Sequence, residues 1–387
     1  MKRATDCFIV NFSLSPHRLS RLGTSLLFFA TVATVLPANA ASASGLTVAI
    51  EAPFLPKNEN RTIRSLSVHQ NGKDWIFVEC PEHKNGHCDI MRFNLESRTL
   101  FRYALPQEYS YPYAHYSAEG GKIVLNRIPV HDGTEIQRQL SLTKSQILTM
   151  QDDGTDLEVI PVTPGVNLAP AISPDGSHIA FWKSEKILPK NNQLILMKLD
   201  IWEYGISSKS EKLFYKKNQA FITGGRIQYI NNSEIIFPSY GPDARFESNM
   251  AYREKYGGSE VFRTIRNQES ILEPVVYQNI YDSNLPSADK KGNTFIWGNM
   301  KNDRSLGVVR ITPDGFYTIW RTRTAFTPLE MVVDPNGNYV AAIYRDTQTY
   351  PNSRSGGFAK LDIHTGIWSW ISIPNWNAAE VLPVLNR

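Results

Sequence analysis

Apolar and polar residues alternate in short runs along most of the chain, and Gly, Pro, Asn and Asp interrupt the runs every few residues. In QILTMQ the apolar positions are Ile147, Leu148 and Met150, and in HIAFW they include Ile179 and Phe181. A period of two sends successive side chains to opposite faces, so each run predicts a β-strand. Beyond residue 40 the long 3.6-residue patterns that would predict helices do not occur. Between strands stands Ser173-Pro174-Asp175-Gly176. Its proline presets φ, its aspartate bonds back to the backbone and its glycine accepts positive φ, so it predicts a tight turn.

Weaker copies of this turn and its following strand recur as HQNGKDWIFV, SAEGGKIVL, YINNSEIIF, SADKKGNTFIW and VDPNGNYVAAIY. With the SPDG copy they start at 69, 117, 173, 229, 287 and 333, between 46 and 58 residues apart. A further strand pair follows most of them, giving four short strands per unit. That is the size of a propeller blade, whose two apolar faces must be buried against neighbours. The pattern predicts an all-β chain: a six-bladed β-propeller of four-stranded antiparallel blades occupying 41–387 as one domain. An early strand, GLTVAIEA at 45–52, is expected to complete or brace the ring.

The stretch ILTMQDDGTDLEVIPVTPGVNLAPAISPDGSHIAFW resembles the repeat of the TolB-type, WD40-like bacterial propellers. Met150, Asp153-Gly154, Pro170, Ser173-Pro174-Asp175-Gly176 and Ile179-Ala180-Phe181 match that pattern, while its Leu-Thr is replaced by Ile160-Pro161-Val162-Thr163. TolB carries an α/β domain ahead of its propeller, and almost no chain separates residue 40 from the first β pattern here. The resemblance is to the propeller alone. It implies a bacterial cell-envelope protein whose role is to bind other proteins.

Residues 1–40 bear on location. Basic residues (Lys2, Arg3, Arg18, Arg21) precede the apolar run Leu26–Pro37 and then Ala38-Asn39-Ala40. This is the order of a cleaved secretory signal, and the run is shorter than the roughly 20 residues that span a bilayer. The expectation is a periplasmic or secreted protein with no stable membrane insertion. The chain has 41 Lys+Arg and 37 Asp+Glu; removing four bases and one acid with the leader leaves 37 against 36. So small a net charge gives no reason to expect nucleic acid as a partner.

Cleavage leaves two cysteines, in CPEHKNGHC at 80–88. Cys80, His83, His87 and Cys88 invite a zinc reading. The repeat register instead places the loop between the second and third strands of blade one, so Cys80 and Cys88 close a hairpin at disulfide distance. An oxidising destination points the same way. A disulfide is expected, with no metal and no cofactor.

Signatures of chemistry are few. The nucleophile elbow G-x-S-x-G, H-E-x-x-H, a P-loop and an EF-hand loop do not occur. QDDGTD at 151–156 invites calcium but reads better as the turn between the two outer strands of a blade. His69 and His178 flank turns and are expected at the surface, and His364 sits in a DIHTG turn. His115, on the innermost strand of blade two, is the candidate acid, base or metal ligand.

The loops carry more. Successive strands a, b, c and d of a blade run outward from the axis, so the b–c and d–a links share one face. The b–c link of blade four, SYGPDARFESNMAYREKYGG, holds Arg245, Tyr252, Arg253 and Tyr256; that of blade six is RDTQTYPNSRSGG. The link after blade one, read as 105–116, holds Tyr109, Tyr111 and Tyr113. Tyr and Arg anchor interfaces at modest entropic cost. The expected function is a non-catalytic, monomeric scaffold that binds an envelope or secreted protein or peptide. The alternative is a carbohydrate-active enzyme of polysaccharide-lyase type, or an oligosaccharide-binding protein. It would act in the funnel through His115 with Arg226, Arg245 or Arg253.

Overall fold

A computed structural model describes residues 61–81, 87–131, 140–190, 193–215, 226–239, 260–267, 273–274, 280–300, 306–322, 326–346, 357–371, 373 and 379–385. The leader expected at 1–40, the strand expected at 45–52, His83, the blade-four link with Arg245, Tyr252, Arg253 and Tyr256, and the blade-six link lie outside them. Six antiparallel four-stranded blades form in chain order, and the sheet of blade one gains a fifth, parallel strand.

Blade one is β1 (Arg61–Val68), β2 (Asp74–Pro81), β3 (Asp89–Asn94) and β4 (Leu100–Tyr103). Blade two is β5 (Tyr109–Tyr116), β6 (Lys122–Pro129), β7 (Gln146–Gln151) and β8 (Glu158–Ile160). Blade three is β9 (Val166–Ile172), β10 (His178–Lys190), β11 (Gln193–Gly205) and β12 (Ser210–Tyr215). Blade four is β13 (Gln228–Asn231), β14 (Glu234–Ser239), β15 (Glu260–Ile265) and β16 (Glu273–Pro274). Blade five is β17 (Ile280–Ala288), β18 (Thr294–Met300), β19 (Leu306–Ile311) and β20 (Tyr317–Thr322). Blade six is β21 (Phe326–Val333), β22 (Tyr339–Asp346), β23 (Gly357–Asp362) and β24 (Trp368–Ile371), and β25 (Glu380–Leu382) follows it.

The alternation of the sequence explains the ring. On β2, Ile76 and Val78 pack towards blade two while Trp75 and Phe77 pack towards blade six. The same division recurs around the molecule, so the buried apolar side chains fall into six clusters, one at each blade–blade boundary. Each fully buried aromatic or aliphatic side chain contributes about 1.5–3 kcal/mol. An open stack would leave two of those faces wet. The innermost strands β1, β5, β9, β13, β17 and β21 contact one another in sequence, and β21 contacts β1.

Inner strands are also edges, with backbone N–H groups that no neighbouring strand pairs. Serine hydroxyls take several of them across the blade boundaries. Ser65 Oγ accepts from Ala114 N at 2.9 Å and Ser67 Oγ from Tyr116 N at 3.1 Å. Ser287 Oγ accepts from Val333 N at 2.9 Å. The turns after the inner strands follow the SPDG expectation: Gly176 has φ +68° and its N–H donates to Ser173 O at 2.9 Å. Neighbouring turns interlock, with Asn336 Nδ2 donating to Gln70 O at 2.8 Å and Lys290 N to Pro335 O at 2.9 Å.

The ring closes without exchanging a blade strand. Instead β25 pairs parallel with β4 on the outside of blade one. The chain then reaches blade two, where Leu385 N donates to Gly154 O at 3.0 Å and Leu157 N to Leu385 O at 3.1 Å. This strap crosses the seam between the last and first blades.

Two sequence expectations need correcting. His69 is not a surface residue: it is buried, edge-on to Tyr116 and with Nε2 3.4 Å from Asp152 Oδ2. It sits inside a polar network in which Asp74 accepts from Arg92, Asn71 and Asn94. The link after blade one is also shorter than 105–116, because β5 begins at Tyr109. The tyrosines assigned to that link are therefore residues of an inner strand.

Candidate functional site

The turn register fixes what reaches the axis. In five blades the residue opening the inner turn is His69, Ser117, Ser173, Asp289 or Asp334, each donating its N–H to the strand beyond the turn. Two residues earlier stand Ser67, His115, Ala171, Ser287 and Val332; four residues earlier stand Ser65, Tyr113, Ala169, Leu285 and Glu330. At or beside the latter level the pairing slips in five blades. Ser65, Ala169 and Leu285 take φ of +57°, +47° and +50° there. Such bulges re-aim side chains, here beside the axis, and the strained backbone is held by the surrounding ring.

At the first level Ser67, His115, Ala171, Gln228 and Val332 line a cavity of about 30 Å³ beneath the a–b turns, room for one water-sized molecule. His115 is buried, and its Nδ1 lies 2.9 Å from Tyr116 O. The carbonyl can only accept, so Nδ1 carries the proton and Nε2 is left as a lone-pair acceptor. Burial first, and then the charge of Arg226, push the His115 pKa down to about 3. The ring is neutral at physiological pH.

At the second level the axis is crossed. Arg226, from blade four, donates Nη1 to Leu66 O in blade one and Nη2 to Met331 O in blade six, the latter at 3.4 Å. Glu330 accepts from Ser65 N at 2.6 Å and Leu66 N at 2.8 Å. Burial pushes the Arg226 guanidinium down and the nearby Glu330 charge opposes it. The two side chains pin the seam from the inside, as the strap does from the outside. Tyr113 projects to the same region, its hydroxyl pushed up by burial and its surroundings including Arg64 and Glu330.

At the b–c/d–a end lies the stapled loop. Cys80 and Cys88 form the expected disulfide, with Cα atoms 4.2 Å apart. Tyr111 N donates to Cys88 O at 3.1 Å and Cys88 N to Ser110 Oγ at 3.1 Å, fixing Cys88 on blade two. His87 is 2.9 Å from Asp89 Oδ1. Beside it the Arg127 guanidinium stacks 4.0 Å over the Tyr109 ring, and its Nε donates to Gln146 Oε1 at 2.7 Å. Such stacking contributes about 0.5–1 kcal/mol when exposed and presents a flat, amphipathic surface.

The three described tyrosines thus separate. Tyr109 is partly exposed on the face, Tyr113 points to the axis, and Tyr111 is wholly buried between blades one and two with its hydroxyl donating to Pro106 O at 3.1 Å. A packing role replaces the contact role expected of Tyr111. QDDGTD is the outer turn of blade two, with the Asp153 carboxylate taken up by Thr155 N and Oγ1. Sequence reasoning found His115 and Arg226 but missed Glu330, Arg64 and Arg127. Aligning the six copies on the turn would have placed Glu330 level with Tyr113; nothing in the sequence pairs Arg127 with Tyr109.

No protein-family model matches the sequence, and no curated protein matches it significantly. Solved structures share its fold. TolB from Acinetobacter baumannii is 14% identical with a TM-score of 0.51, over 82% of this chain and 68% of that one. An oligogalacturonate lyase from Vibrio parahaemolyticus is 10% identical with a TM-score of 0.50, over 81% and 79%. An oligogalacturonate lyase in complex with manganese is 9% identical with a TM-score of 0.51, over 84% and 85%. At these identities the likeness establishes the six-bladed propeller, shared with TolB, and nothing about activity. Among the described residues no helix is long and apolar enough to cross a membrane.

Proposed function

We propose that the chain is an exported, non-catalytic scaffold of the bacterial cell envelope that docks a protein or peptide on its b–c/d–a face. The observation that carries the reading is the difference between the two ends of the axis. At the a–b end, short interlocked turns surround a cavity of about 30 Å³. Below it Arg226 and Glu330 spend their hydrogen bonds on backbone groups of the seam. The opposite end offers the Tyr109–Arg127 stack on a stapled, hydrogen-bonded frame, the kind of rigid aromatic and arginine anchor on which interfaces rely. We assign the blade-four link with Arg245, Tyr252, Arg253 and Tyr256, and the blade-six link, to the same docking surface on the sequence register alone.

The lyase or oligosaccharide reading draws support from the shared fold with oligogalacturonate lyases. A lyase needs a base and a free cation for the enolate-like intermediate. Arg226 is tied to two carbonyls, and a histidine with its pKa near 3 is a weak base for carbon acids.

Affinity capture from an envelope extract tests the scaffold reading. Wild type recovers a defined protein that both a Tyr252→Ala/Arg253→Ala variant and a Tyr109→Ala/Arg127→Ala variant lose by tenfold or more. Equal recovery by all three proteins rejects this face as the docking surface.

A further inference from the structure

The disulfide of blade one has a cation against both of its sulfurs. Arg64 Nε lies 3.1 Å from Cys80 Sγ, and its Nη2 lies 3.1 Å from Cys88 Sγ. Disulfide sulfurs are weak acceptors, so a guanidinium gains little by facing them. A thiolate in the same place would be a charged acceptor receiving a charge-assisted hydrogen bond. Arg64 therefore favours the reduced, ionised pair over the oxidised one. Burial acts the other way, since both cysteines are almost fully enclosed and burial disfavours a thiolate. A guanidinium in direct contact with both sulfurs opposes that penalty at the range where a charge acts most strongly.

We infer that Cys80–Cys88 is a thiol–disulfide exchange site, poised by Arg64 to accept electrons from a dithiol, rather than an inert staple. The dithiol supplies two electrons and two protons; the Cys80–Cys88 bond breaks, and the dithiol closes to its own disulfide. One of the two new thiols then gives its proton to solvent and remains as a thiolate on Arg64. Reduction would open the covalent ring that Cys80 and Cys88 close at the end of the β2–β3 hairpin. The same disulfide frames the proposed docking face, but the exchange chemistry is tested on the chain alone, without a partner.

The test is an equilibrium titration of the full chain in mixtures of reduced and oxidised dithiothreitol at pH 7. Thiols are trapped by alkylation and counted at Cys80 and Cys88 by peptide mass spectrometry. Half-reduction of wild type is expected at a dithiol-to-disulfide ratio at least tenfold lower than for Arg64→Leu, a separation of about 30 mV for a two-electron couple. Arg64→Lys, which keeps the charge, falls between them. A second measurement needs no variant: the alkylation rate of the reduced wild-type pair against pH should reveal a thiol pKa below the ordinary value of about 8.5. Coincident titrations for wild type and Arg64→Leu, or wild-type thiols that both ionise at or above the ordinary value, overturn the proposal.

Discussion

Replacing Glu330 with alanine lowers the stability of the propeller by about 3–5 kcal/mol, read as a fall in the urea midpoint. Two losses add. Ser65 N and Leu66 N lose the carboxylate that accepts from both of them, and a buried donor left without a partner costs about 1–3 kcal/mol. Arg226, buried on the axis, also loses the charge that offsets its burial. Both effects fall on the contact between blade six and blade one, where no covalent link holds the ring. Removing the pair together, as Arg226→Met/Glu330→Leu, should recover part of the loss, because no uncompensated charge remains. A double variant that is less stable than Glu330→Ala by the full cost of a second independent lesion would mean that the two residues do not act as a unit.

Acid weakens the fold through His115. Its folded pKa is about 3, against about 6.5 in an unfolded chain. A depressed folded value means that the unfolded state takes up the proton first. The contribution is therefore fully present above pH 6.5 and is lost progressively as pH falls towards 3. A shift of this size amounts to roughly 3–5 kcal/mol across that window. His115→Gln removes the titration, so its stability curve should run flatter than wild type between pH 6.5 and 3. Parallel curves would show that the histidine is not held neutral. Asp74 adds a smaller loss at lower pH. Burial raises its carboxyl, but hydrogen bonds from Arg92, Asn71 and Asn94 and the Arg92 charge bring it below the usual carboxylate range. Its contribution is present above pH 3.8 and is lost as pH falls through that lowered value.

What could be read in the sequence follows from the range of the forces involved. Strands, turns and the number of blades are local: a two-residue period and a Pro-Asp-Gly turn repeat the same physics six times, and the sheets follow that order. The disulfide was legible because hairpin register brings Cys80 opposite Cys88. The axis was only half legible. His115 and Arg226 stood out as residue types, but the partners of Arg226 are carbonyls of Leu66 and Met331, 160 and 105 residues away. A backbone acceptor leaves no mark on the sequence. Tyr111 misled for a related reason. Tyrosine serves both as an interface anchor and as a core residue with a satisfied hydroxyl, and only the position where β5 begins separates the two. The strap over the seam rests on three residues, Glu380–Leu382, too few to register as a strand by periodicity.

Docking on the b–c/d–a face is tested most directly by amide hydrogen exchange on the complex with the captured protein. Protection is expected in peptides covering 87–89, 105–111 and 127–131, with the a–b turns at 117–121, 173–177 and 334–338 exchanging as in the free chain. Protection confined to those turns, with the first set unchanged, would contradict it.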